Sequence, residues 1–426
     1  MKKSFLTAAA TLMTAAMLLS ACGGGSSSQS ASQTASSGSS TASSEGGVSG
    51  TLTFLSWYNQ SDFQPILDAF QEKYPNVEID FQNVSTENNQ YSQRLTLLAN
   101  SGELPDVFYI QPPIAKFAKE GYLMELDDLD CMKDISGTYR DTYTYEGKTY
   151  AFVDDAWIGG VYYDKDQFAQ AGLEVPGTYD EFLNICKTFY DQGIRPVSIS
   201  GTSLPDLMYW IHDTEILSEN PDYDKEIDAG LHTFTEGYLD NMNQWKADFV
   251  DTGYMDQAVV GYSDEQRLEE FASGEAAMTI SGPWSLSTIR EKNPDKNIGI
   301  FPFVGSKGQK YTVGAVNVGI AVSATAKNPE AAKAFMNFLA EDETMQLYQK
   351  LTGNFMVKDV GYEVDEVLSP LVEFAGNGQF ALPTVYWTNT GTLDPMMQKG
   401  LQEIILGIKT PEQLVSELDE KQAELN

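Results

Sequence analysis

Five of the six tryptophans stand where the chain leaves a strand or runs through a loop-like stretch, which is unusual for residues that most often fill cores. Trp57 directly follows the apolar run Thr51-Leu-Thr-Phe-Leu-Ser56, and Trp157 follows Phe152-Val153. Trp284 ends Gly282-Pro283-Trp284 after Met278-Thr-Ile280, Trp210 follows the loop 201–205, and Trp387 lies in Pro383-Thr-Val-Tyr-Trp-Thr-Asn389. Trp245, amid Leu239 to Phe249, reads as ordinary helix packing. Planar polar side chains lie near the first five: Asn59, Gln60, Gln111, Asp154, Asp155, Asn317 and Asn389. An indole covers a flat C–H face while amides and carboxylates satisfy hydroxyls that would otherwise be buried unpaired. Sugars present both features. Core packing is the competing reading for each tryptophan taken singly.

Patterns for turnover are missing. No G-x-S-x-G elbow occurs in the body, and Gly314 and Gly319 have P-loop spacing but are followed by Ile320 and Ala321 instead of Lys and Ser/Thr. Asp154 and Asp155 are adjacent, so on a strand they face opposite ways and cannot converge on one glycosidic bond, which needs carboxyls roughly 5–9 Å apart. His212 and His232, the only histidines, have no metal-ligand spacing with a Cys or an acid. The expectation is binding without turnover, with no metal and no cofactor.

Elements able to position these residues are legible. Ser61 or Asp62 caps a helix whose Phe63, Ile66, Leu67, Phe70 and Tyr74 share one face. Pro75-Asn76 breaks it, and Val77 to Phe81 reads as a strand. A helix from Tyr91 to Leu98 ends at Gly102 before the strand Val107 to Ile110. Alternating strands and helices predict an α/β fold with parallel neighbours. Tyr143 to Tyr150 reads as a hairpin turning at Glu146-Gly147. Tyr179 to Tyr190 reads as a helix with Phe182, Leu183, Cys186, Phe189 and Tyr190 on a core face, and Pro196 to Ser200 as a strand. Asn328-Pro329 starts one late helix, and Thr410-Pro-Glu-Gln413 makes a capping box for another. No linker divides the body.

The start of the chain speaks to location. Lys2 and Lys3, the apolar run Phe5 to Leu19 and the small residues Ser20 and Ala21 form a secretory signal, 1–21. Leu19-Ser20-Ala21-Cys22 resembles the lipobox of bacterial lipoproteins, which implies acyl chains, palmitate included, on Cys22. Residues 22–50 then form a Ser/Gly-rich tether too polar to bury a core. Sixty-one acidic against 27 basic side chains, a net charge of −34, disfavour nucleic acid and anionic lipid by repulsion. Cys131 and Cys186 remain, either paired or as two buried thiols.

In order along the body come Leu52 to Trp57, Gly102-Glu-Leu-Pro-Asp-Val107, Gly147 to Phe152, Tyr162-Tyr-Asp-Lys165 and Ala169-Gln-Ala-Gly172. Thr178 to Phe182, Phe271 to Ile280 running into Gly282-Pro-Trp284, and Ala331 to Phe335 with Phe338-Leu339 complete the series. In these landmarks the body resembles the extracellular solute-binding proteins of the maltose-binding type. The resemblance implies a two-lobed, periplasmic-binding-protein-like α/β fold, each lobe a mixed sheet flanked by helices, with the ligand cleft between lobes. The expected division is 51–158 with about 300–345, against 159–299 with about 346–426. It also implies closure on a carbohydrate, a neutral oligosaccharide by the number of aromatics, and delivery to the permease subunits of an ABC importer by a monomer tethered outside the cell membrane. A polyamine, peptide or amino acid is the alternative ligand, and a secreted glycosidase the enzymatic rival. Carried over by position, the ligand contacts are Trp284, Trp57, Tyr58, Asn59, Asp155 to Trp157 and Trp387; Gln111, Asp154, Trp210 and Asn317 join them from the placement of aromatic and planar polar residues read above. Asp154 and Asp155 stay alternatives for one acid, and Asp106 is explained equally well by turn structure.

Overall fold

The computed structural model describes residues 47–86, 90–135 and 137–425; the signal, Cys22 and most of the tether lie outside the described residues. Two sheets carry two separate cores, and a third sheet carries the chain between them. The first is five-stranded, in the order Val77–Asn83, Gly50–Ser56, Val107–Ile110, Gly319–Val322, Ala151–Phe152. Its first three strands run parallel, joined by the crossover helices Gln60–Lys73 and Gln90–Ser101, and Gly319–Val322 closes it antiparallel. The alternation of strand and helix in the sequence predicts this arrangement.

The second sheet has four strands, in the order Ile298–Phe301, Gly160–Asp164, Ala276–Ser281, Arg195–Ser198. Between the two lie Phe355–Met356, Asp155–Ile158, Thr312–Val316 and Phe380–Ala381, one sheet of crossing strands. Val153 belongs to the first core and Val161 to the second, so Asp155–Ile158 leads across; Thr312–Val316, with Val313 in the second core and Val316 in the first, leads back. This is a two-lobed α/β fold with a sheet of crossovers. The first core also takes Tyr348, Met356, Val357 and Val360, beyond the boundary near residue 345 expected from sequence.

Local chemistry explains the landmarks. Asp106 accepts from Thr53 N (2.9 Å) and Thr53 Oγ1 (2.8 Å) on one oxygen, and from Lys327 N (2.6 Å) and Asn328 N (3.1 Å) on the other. Burial alone would raise its carboxyl, but these bonds hold it below the usual carboxylate range. It fastens the first strand to the start of helix Pro329–Leu339 and is structural. The hairpin turns at Glu146 and Gly147, both left-handed (φ 49° and 77°), where glycine has no Cβ penalty. The first helix begins one residue before the expected cap, with Asn59 at its N-cap position. In helix Tyr179–Asp191 the buried row is Phe182, Ile185, Cys186 and Phe189, at i, i+3, i+4 and i+7; Tyr190, expected in that row, has turned out to solvent. Cys131 packs in the first core and Cys186 in the second, both as free buried thiols.

One buried acid gives the fold a pH signature. Burial pushes the Asp206 carboxyl on helix Leu204–His212 up to about 7, with Arg267 lowering it and Asp264 and Asp394 raising it. An unfolded aspartate titrates near 3.9, so the folded state keeps this proton to higher pH. Its stabilising contribution is complete below about pH 4 and is lost as pH rises through about 7. Asp206→Asn, which cannot ionise, will therefore gain stability relative to the parent between pH 5 and pH 8. Parallel melting curves check this; a variant-to-parent difference independent of pH would contradict it.

Candidate functional site

Ligands of open α/β sheets bind beyond the carboxyl ends of strands, and a cleft of about 1250 Å³ opens at those ends here. Trp57 and Tyr58 enter it from the exit of Gly50–Ser56, and Gln111 from the exit of Val107–Ile110. Pro283 and Trp284 come from the exit of Ala276–Ser281, while Trp157 and Asn317 come from the crossover sheet. Elements of both lobes thus line one cleft.

The aromatic groups are held by neighbours before any ligand arrives. The Trp57 indole stacks on Tyr109 (centroids 5.2 Å apart, planes at 7°), with Tyr91 edge-on at 5.7 Å. The Asn83 carboxamide donates to the carbonyls of Trp57 (3.0 Å) and Tyr58 (2.7 Å), which fixes the strand exit. Trp157 and Trp284 form a T-shaped corner, 5.4 Å between centroids and 76° between planes. Trp284 keeps 49% of its surface exposed, a large apolar face turned outward. Tyr162 Oη donates to the Gly282 carbonyl at 3.0 Å, and the Ser281 and Ser285 hydroxyls bond at 2.6 Å, so the Gly-Pro-Trp turn is pinned at both ends.

Gly282 is required under that indole. A Cβ there would overlap the six-membered ring of Trp284. Gly282→Ala will swing the indole away and weaken ligand binding by about 1 kcal/mol or more, the scale of one aromatic contact. Calorimetry paired with tryptophan emission reads this; unchanged affinity and unchanged emission would show that the ring does not need the bare backbone.

The carboxyls sit behind the wall. Asp154 and Asp155 are both buried and do not line the cleft. Asp155 accepts from the Asn354 carboxamide at 2.9 Å, its backbone carbonyl accepts from Asn317 N at 3.1 Å, and both asparagines face the cleft. Burial pushes the Asp155 carboxyl up to about 6, against hydrogen bonds from Asn354, Asn317 and Thr352 that lower it. Burial and the Asp155 charge also push the Asp154 carboxyl well above the usual carboxylate range, and Tyr58 is raised by burial and by Asp155. At Asn317 and Asn354 the wall therefore presents amides backed by the buried Asp155 carboxyl.

Trp57, Tyr58, Gln111, Trp157, Trp284 and Asn317 are brought together as expected from sequence. Other expected contacts need correction. Trp210 is wholly buried in helix Leu204–His212, stacked on Phe303 (4.5 Å, 10°) with its Nε1 donating to the Val304 carbonyl at 3.0 Å. Trp387 is also wholly buried in the second core, with Nε1 donating to Asp224 at 2.9 Å. Asn59 stands exposed at the helix start, its carboxamide 3.3 Å from Asp62, and Asn389 occupies the N-cap position of helix Thr390–Ile405. Residues 349–354, with Arg290, Glu363 and Asp365, line the cleft and were not anticipated. The left-handed Gly353 ending helix Asp342–Thr352 just before a strand was the available signal. Among the described residues, no group of three or more His, Cys, Asp or Glu is arranged to hold a metal ion.

The sequence profile of the bacterial extracellular solute-binding proteins matches residues 57–346. This chain belongs to that family. Its members work outside the cytoplasm, and no helix among the described residues is long and apolar enough to cross a membrane. The Multiple sugar-binding protein of Streptococcus mutans is 26% identical over 337 residues, which cover 75% of this chain and 79% of that relative. A family 1 extracellular solute-binding protein from Bifidobacterium longum subsp. infantis superposes with a TM-score of 0.74 at 24% identity, covering 89% of this chain and all of that one. A chitin oligosaccharide binding protein superposes with a TM-score of 0.76 at 23% identity, over 88% of this chain and 98% of its own. At these identities the superpositions speak for the fold.

Proposed function

We propose that this solute-binding protein captures a neutral oligosaccharide in the cleft and passes it, unaltered, to the permease subunits of an ABC importer. The observation that carries this reading is the wall itself: three indoles and Tyr58 open on the same space as Gln111, Asn317 and Asn354. Indoles match the C–H faces of sugar rings, and amides match hydroxyls that serve at once as donors and acceptors. The name of the Streptococcus mutans relative agrees with it. Asp154 and Asp155 are adjacent and buried behind the wall, so that pair does not flank a bound glycosidic bond. The two lobes exchange open and closed arrangements about the crossover strands, and a ligand touching both sides shifts that equilibrium by its differential affinity. Acylation of Cys22 and the tether to residue 50 hold the folded monomer at the outer face of the cell membrane.

Small-angle scattering with and without neutral oligosaccharides, followed by an assay for reducing ends, tests this directly. Compaction with no new reducing ends is the expected result. New reducing ends would make the protein a glycosidase, and absence of compaction with every bound sugar would remove the closure step.

A further inference from the structure

Six residues beyond the Trp284 platform, the same wall of the cleft carries a pre-formed charged fork. Arg290 Nη1 donates to Asp365 Oδ2 at 2.6 Å and Nη2 to Asp365 Oδ1 at 3.0 Å, a bidentate pair. Asp365 is fixed from its other side, where Oδ1 accepts from Val367 N at 3.0 Å at the start of a short helical turn. Arg290 projects from helix Ser285–Lys292, and both partners line the cleft with Leu286 and Ser287. Ser287 and Arg290 are three apart, so they share a helical face.

Resting on the carbohydrate reading, we infer that the Arg290–Asp365 fork, with Ser287, is a second sugar subsite that takes the vicinal hydroxyls of a ring beyond the one stacked on Trp284. The pairing uses two of the five guanidinium N–H groups, and the rest are free of the fork itself. Adjacent sugar hydroxyls are spaced for a planar, bidentate partner, which a guanidinium and a carboxylate supply and an ammonium does not. A fork already closed loses little side-chain entropy when the ligand arrives. Six residues of helix rise by about 9 Å, more than one sugar ring, so only a ligand of several rings reaches both the indole and the fork.

The surrounding charge narrows the class further. Around the fork the cleft carries Lys350 with Glu363 and Glu366, so acids outnumber bases on this wall. A uronic acid ring placed here meets net repulsion, whereas a neutral ring does not. The subsite therefore selects for length and for neutrality together.

The test compares the full-length protein with Arg290→Met, Arg290→Lys, Asp365→Asn and Trp284→Ala by calorimetry. The probes are three neutral series of two, three and four rings: sucrose to stachyose, maltose to maltotetraose and chitobiose to chitotetraose. In the series that binds, Arg290→Met and Arg290→Lys will each lose at least tenfold in affinity for the longest member. Both will change less than twofold for the two-ring member. Trp284→Ala will weaken every length. Asp365→Asn keeps an acceptor for Val367 and so reports on the fork if the Arg290 variants melt early. Equal loss at all lengths, no loss at the longest, full rescue by lysine, or tighter binding of a galacturonic acid trimer than of the neutral trimers would each overturn the subsite. Binding by none of the three series would instead overturn the carbohydrate reading, and the subsite with it.

Discussion

Trp387→Ala will cost about 3–5 kcal/mol of folding stability, the range for truncating a buried tryptophan, and will leave ligand affinity within about threefold. The indole is wholly buried in the second core, with Phe234 edge-on at 5.0 Å and Tyr238 at 6.1 Å. Its Nε1 is one of three donors around Asp224, which also accepts from Tyr238 Oη at 2.6 Å and bonds His212 Nε2 at 2.8 Å. Alanine removes the packing and one donor from a fully buried carboxylate, so the cavity cost and the lost hydrogen bond add. Denaturant titration with a parallel binding isotherm separates the outcomes. A stable variant that no longer binds would return Trp387 to the ligand site, where sequence position alone puts it.

Trp284→Ala will show the reverse pattern. Half of this indole already faces solvent, so its removal leaves the core intact and the melting midpoint nearly unchanged. Ligand affinity will fall by about 1–3 kcal/mol, roughly 5- to 150-fold, from the lost stacking face and the apolar area it covers. Trp157, which leans edge-on against it, loses its corner partner, so the loss extends past a single contact. An unchanged affinity would remove Trp284 from the site. A large drop in melting midpoint would mean that the indole serves structure instead.

These two tryptophans mark where sequence stopped being informative. Trp57 and Trp284 reach the cleft because each follows a strand, and the exits of strands in an α/β sheet point into it, whereas Trp157 reaches it from within the crossover strand Asp155–Ile158. Trp210 also follows a loop, but the helix begins at Leu204, and from there its ring turns onto Phe303. Nothing in the local pattern separates a loop aromatic from a core aromatic on a short helix. Trp387 is settled by Asp224, distant in sequence, and such a partner leaves no periodic trace. Arg290 and Asp365 escaped notice for the same reason, since their pairing is made by folding. The fold was more legible: period-two and helical patterns, the Asn328 cap and the Thr410–Gln413 capping box all reflect near-neighbour physics. Asp155 was legible as polar but not as buried, because its partner Asn354 is distant in sequence and is brought to it by folding.

The most direct test of the central claim is a calorimetric titration of the mature protein. One arm holds neutral oligosaccharides (maltotriose, raffinose and chitotriose among them), and the other holds spermidine, single amino acids and short peptides. Saturable binding of at least one neutral oligosaccharide is expected, lost or strongly weakened in Trp284→Ala, with no binding in the second arm. Binding of a cationic or peptidic solute with every sugar silent would contradict it.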